Sequence, residues 1–152
     1  MKGQKKRKSW QSENAKRAKV TEKPTLWAAV GRGDEDTVHC LLTIGCDVDE
    51  RYKGWTPLMK AAEEGHTMVA LQLLAHRADL EAINNKGRTA LSFAAAPSGG
   101  RPTPRETLAF LMAWGADDTH RNIKFLTPLQ EARKDNREEA IKIFEYCNML
   151  ED

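Results

Sequence analysis

Four histidines and three cysteines are the residues of this 152-residue chain best suited to metal or nucleophilic chemistry. His39, Cys40 and Cys46 fall close together, as ligands of a zinc ion would. Cys-x5-Cys is not a common zinc spacing, however, and no second ligand pair follows within reach. Cys40 stands one residue before Leu41-Leu42 and is expected to be a buried structural thiol. His76 and His120 have no carboxylate or nucleophile partner nearby in the sequence. No Gly-x-Gly-x-x-Gly run, P-loop or Ser/Cys nucleophile motif occurs. The expectation is therefore no catalytic residue, no metal and no cofactor. The other chemistry on offer is charge. Lys5-Lys6-Arg7-Lys8 and Lys16-Arg17-Ala18-Lys19 are the clustered cations that a nuclear-import receptor, nucleic-acid phosphates or an acidic membrane surface would attract.

The two clusters sit in a segment unlike the rest. Residues 1–24 carry nine basic groups against Glu13 and Glu22, which leaves +7; residues 25–152 hold the other 15 basic and 20 acidic groups, which leaves −5. Only Met1, Trp10, Ala15, Ala18 and Val20 are hydrophobic in the first segment. That is too little apolar surface to offset an ordering entropy of about 1–2 kcal/mol per residue. Residues 1–23 are expected to be a disordered basic arm, with at most a frayed helical turn through 13–20. The arm serves import, nucleic-acid contact or solubility; Trp10 within it is a bystander or an aromatic anchor.

The body must position everything else. Its length suits one compact domain. No run nears 18 apolar residues, so no membrane span is expected, and the charged N-terminus lacks the apolar stretch of a secretory signal. Three scattered cysteines suit reduced thiols in the cytoplasm or nucleus better than a disulfide scaffold. The body repeats. GWTPLMKAAEEGH from Gly54 returns 33 residues later as GRTALSFAAAPSG from Gly87, and 38 after that as FLTPLQEARKDNR from Phe125. PTLWAAVGRGD from Pro24 is a degenerate first copy, and Asp47, Asp79 and Asp117 recur at one position. A period near 33 marks a stacked-repeat architecture. Within a copy, Thr56 can cap a helix with Pro57 at its first position. Leu58, Ala61 and Ala62 form an apolar stripe, Gly65 ends the helix in the left-handed region, and Val69, Ala70, Leu73 and Leu74 face inward from a second helix. One such pair cannot bury its apolar face, so neighbours must stack.

In Gly54, Thr56, Pro57, Leu58, Ala61, Ala62, Gly65, His66, Leu73, Leu74, Ala78 and Asp79 the chain resembles the ankyrin-repeat family. The resemblance implies an all-α solenoid of about four repeats with short β-hairpin-like loops, spanning residues 24–49, 50–82, 83–120 and 121–150. It implies that His66 hydrogen-bonds backbone between repeats. It also implies a non-catalytic, monomeric module that binds another protein on a concave face. At the family's variable positions repeat 1 offers only Gly31 and Arg32, and repeat 2 offers Glu50, Tyr52, Lys53, Trp55, Glu63 and Glu64. Repeat 3 offers Ile83, Asn85, Lys86 and Arg88; repeat 4 offers Arg121, Ile123, Lys124 and Leu126. Tyr52, Trp55 and Arg88 have the chemistry of interface anchors, although Trp55 could equally pack on the neighbouring hairpin. Trp27 and Trp114 lie at core spacing.

Departures from the pattern carry their own expectations. Arg77 stands where Gly45 and Gly115 stand, and Phe125 and Asn136 replace Gly54 and Gly65. Repeat 4 is wrapped in charge as a terminal cap should be. Repeat 3 has five extra residues, about Ser98 to Pro102, either a tolerated surface loop or a partner-specific contact. Thr103-Pro104-Arg105-Glu106 then reads as a capping box that restarts the helix. The runner-up for the whole chain is a nucleic-acid-associated protein, its arm on phosphates and its repeats recruiting a partner.

Overall fold

A computed structural model describes residues 23–151, so the arm and its import-like residues lie outside the described residues. Four helix pairs follow one another: α1 (Leu26–Arg32) with α2 (Glu35–Thr43), α3 (Pro57–Glu64) with α4 (Thr67–Ala75), α5 (Ala90–Ala95) with α6 (Arg105–Trp114), and α7 (Pro128–Lys134) with α8 (Glu138–Glu151). A threonine starts every first helix. The hydroxyls of Thr25, Thr56, Thr89 and Thr127 accept the N–H three residues on, at 3.2, 3.3, 3.4 and 3.3 Å. Each satisfies an end-of-helix donor that would otherwise be unpaired.

First helices stack on first helices and second on second, giving two layers. Alanines make the close approach possible: Ala29, Ala61, Ala62, Ala94, Ala95 and Ala132 have no exposed surface. The stripes of Leu58 with Ala61 and Ala62, and of Val69 with Ala70, Leu73 and Leu74, are buried as expected. Phe93 and Phe144 are the largest fully buried side chains. Among the described residues there is no strand and no helix long and apolar enough to cross a membrane.

Successive repeats also lock through the start of each second helix. Asp34, His66 and Pro104 precede α2, α4 and α6 with ψ of 85°, 78° and 83°. Gly33 and Gly65, both left-handed, pack against His66 and Pro104, so closely that a Cβ would lie 2.7 and 2.9 Å away. His66 then reaches back with Nε2 3.2 Å from the Gly31 carbonyl, the inter-repeat bond expected of it. Arg77, Phe125 and Asn136 hold the left-handed conformations of the glycines they replace, with φ of 65°, 61° and 52°.

Three expectations fail. Thr103 caps nothing: α6 begins at Arg105, and Pro104 takes the position of Asp34 and His66 because a fixed φ suits it and its ring fills the space beside Gly65. Cys40 is exposed. Val38, Leu41 and Leu42 define the buried stripe of α2, and Cys40 lies two residues, about 200°, round from Val38. Trp114 is 47% exposed and touches its own helix through Phe110, ring centroids 5.5 Å apart. Steps of three lag about 60° each, so Leu108 and Leu111 face inward while Trp114 has turned away.

Candidate functional site

Hairpin tips and the first helices form one continuous face. The tips are built locally. Tyr52 and Trp55 exchange both backbone hydrogen bonds, at 2.9 and 3.0 Å, around Lys53 and Gly54, whose φ of 51° and 84° make a tight two-residue reversal. The next two tips are three-residue loops organised by Asn84 and Asn122, whose side-chain oxygens accept two backbone N–H groups each. Tips are then tied to one another. Arg51 donates to the Gly54 and Ile83 carbonyls at 3.0 and 2.7 Å, and the Ile123 N–H donates to the Lys86 carbonyl at 3.1 Å.

Beside the tips runs a ladder of rings. Tyr52, 48% exposed, stacks on half-buried Trp27 with centroids 5.0 Å apart; Trp27 meets Trp55 edge-on at 6.5 Å, and Trp55 leans on Phe93 at 4.1 Å. The Arg88 guanidinium lies over the far side of this ladder, 4.1 Å from the Phe93 ring centre. Its Nε is 3.2 and 3.3 Å from the two Glu131 oxygens, and Nη2 donates to the Ser92 and Ala96 carbonyls at 3.1 and 2.8 Å. Trp55 and Arg88 are thus consumed inside the stack, while Tyr52 stays exposed. Lys53 is exposed with its ammonium 5.5 Å from the Tyr52 ring.

The five extra residues of repeat 3 are anything but loose. Buried Glu63 accepts the Ser98 N–H at 3.2 Å, and Glu64 pairs with Lys60 at 2.6 Å and Arg101 at 2.5 Å. Burial pushes the Glu64 carboxyl up, but the hydrogen bonds and charges of Arg101 and Lys60 more than reverse this and hold it below the usual range. From the other side Arg137 of repeat 4 donates to the Pro97 carbonyl at 3.1 Å and to that of Arg101. Arg137 occupies the place of His66 two pairs of helices on, just before α8. The segment therefore spans from repeat 2 to repeat 4.

Between this segment, the last two hairpins and α7 lies an open cleft of about 570 Å³. Lys86, Lys124, Lys134, Arg88 and Arg137 line it against Glu131 and Asp135, with Ile123, Leu126, Ala96 and Pro97 between them. A family model described as ankyrin repeats (3 copies) matches residues 26–122. The chain belongs to the ankyrin-repeat family. Ankyrin repeats generally serve protein–protein interaction and are typically non-catalytic. A comparison with curated proteins finds no match. Repeat 4 lies almost wholly beyond the matched residues, yet α7 and α8 repeat the helix pair and its threonine cap.

The ankyrin face thus brings some of the expected residues together. Tyr52 and Lys53 stand exposed at one end; Lys86, Ile123 and Lys124 surround the cleft at the other. Asn85 is exposed, with its amide packed at the α-carbon of Gly54. Glu63, Glu64 and Arg88 anchor the stack and its inserted segment. Arg51, Phe93, Arg101, Glu131 and Arg137 escaped the sequence reasoning. Only the five-residue excess, with Arg101 inside it and Glu63-Glu64 in the preceding repeat, held a signal for any of them.

Proposed function

We propose that this ankyrin-repeat chain is an interaction module that docks a partner protein on the face made by its hairpin tips and first helices. One observation carries the reading: Tyr52, half exposed and held flat on Trp27, borders a face that ends in the 570 Å³ cleft. A preorganised ring of this kind loses little conformational freedom on binding and belongs to the residue types that dominate interface energy. Tyr52→Ala combined with Lys53→Glu changes this shelf while leaving the ladder of Trp27, Trp55 and Phe93 in place. Affinity capture with the full chain and with this variant is the test. Loss of the specifically captured proteins, with a melting temperature lowered by no more than about 5 °C, supports the reading. An unchanged set of captured proteins refutes it.

The arm's two cation clusters support nuclear placement, since an import receptor takes up an extended chain with several basic groups. Alanine at Lys5, Lys6, Arg7 and Lys8, and at Lys16, Arg17 and Lys19, should release a fluorescent fusion from the nucleus; retention there refutes it. The alternative, in which the arm holds nucleic acid while the repeats recruit a partner, is supported by the same nine basic groups of residues 1–24. It requires log K for duplex DNA to fall with log salt at a slope of about −0.9 per phosphate neutralised, and deletion of residues 1–22 to abolish that affinity.

A further inference from the structure

We infer that the cleft between the inserted segment and the last hairpin receives a short acidic segment of the partner protein, with an apolar residue among its carboxylates. The inference rests on the docking reading above and names the chemistry of the occupant. Charge makes the first argument. Five basic and two acidic side chains line the cleft, in a body whose net charge is −5. Arg88 and Glu131 neutralise each other. Lys86, Lys124 and Lys134 have no ion-pair partner among the described residues. The Arg137 guanidinium holds two carbonyls and no carboxylate, and its buried Nε has no hydrogen-bond partner. A carboxylate in the cleft would supply the counter-charge that all four lack.

Shape and polarity make the second. Ile123, 63% exposed, and Leu126 give an apolar contact between the lysines. On the opposite wall Gly99 and Gly100 carry positive φ, and a Cβ on either would meet nothing within 4 Å, so a peptide backbone can come close there. The wall is held from repeats 2 and 4, so little ordering remains for binding to offset. A volume of about 570 Å³ suits a few residues. A nucleic acid fits worse: it would run out of the cleft along an acidic body, whereas a short acidic peptide needs only the local positive charge.

The test is selection from a displayed library of random heptapeptides on the full chain, and on a Lys86→Glu, Lys124→Glu, Lys134→Glu variant. The arm is the same in both baits, so any peptide it captures survives the substitutions. The expected result is enrichment of Asp/Glu-rich peptides with one large apolar residue, binding the variant at least tenfold more weakly at an unchanged melting temperature. No enrichment, or enrichment of neutral or basic peptides, overturns the inference, as does equal binding of every selected acidic peptide to both baits. Peptides that resist the lysine substitutions but are lost with Tyr52→Ala and Lys53→Glu would sink the cleft and leave the docking face standing. A selection in which every peptide is indifferent to both sets of substitutions would sink both.

Discussion

Replacing Arg88 by alanine tests how the stack is held together where repeats 3 and 4 meet. The side chains of Arg88 and Glu131 are 14% and 12% exposed, so the pair is largely withdrawn from water. Truncation leaves Glu131 with the Asn122 amide as its remaining hydrogen-bond donor, frees the Ser92 and Ala96 carbonyls from their guanidinium donor, and strips the cation from the Phe93 ring. Breaking a buried pair costs about 3–5 kcal/mol; residual solvent access lowers the expectation here to about 2–4 kcal/mol. For a body of this size that corresponds to a melting temperature about 8–15 °C lower, read by circular dichroism at 222 nm. Lysine in place of Arg88 keeps the charge but not the planar fork, and should recover less than half of the loss. In a double-mutant cycle with Glu131→Gln the two losses should fall short of additivity by more than about 1 kcal/mol. A drop below about 2 °C for Arg88→Ala, or strict additivity, would refute the claim that Arg88 is a structural tie and return it to the free interface residues.

Phe125 is 77% exposed at φ 61°, a conformation that costs a bulky residue about 1–2 kcal/mol, so Phe125→Gly should raise the urea midpoint. Gly65→Ala should lower stability by more than about 1 kcal/mol, because its Cβ would lie 2.9 Å from that of Pro104 at φ 76°; Gly45→Ala, with nothing within 4 Å of its Cβ, should cost less. The Glu64 carboxyl is held below its ordinary value of 4.5, so its contribution is complete at neutral pH and disappears as pH falls from about 4.5 through the lower folded value. Glu64→Gln should therefore melt lower at pH 7 and approach the parent chain in acid. Parallel pH–stability curves would contradict this.

What the sequence made legible was whatever the repeat imposes locally. The helix pairs and the paired alanines follow from residues within one 33-residue unit, the left-handed Arg77 and Asn136 from setting one unit against the next, and the reach of His66 to the neighbouring repeat from the family resemblance. Cys40 went astray because adjacency to leucines does not mean sharing their face, and Trp114 because core spacing carried over successive turns drifts off the buried face as the helix rotates. Thr103 went astray because its capping pattern is local, whereas the position of Pro104 is set by Gly65, 39 residues earlier. The site was less legible for the same reason. A position's place in the unit says that Trp55 and Arg88 lie on the docking face, but not that Phe93 and Glu131 absorb them from neighbouring units. Long-range pairs such as Arg101 with Glu64 have no signature in the period at all.

A pile of helix pairs ordinarily touches only the pair above and the pair below, so its ends can fray one unit at a time. Here Glu63 and Glu64 grip one side of the inserted segment and Arg137 grips the other, so the second and fourth units are strapped together across the third. The last unit should then come away only when the segment lets go of the second. Hydrogen exchange in α7 and α8 would follow the opening of α3, which makes the five extra residues a fastener that turns three separable layers into one cooperative block.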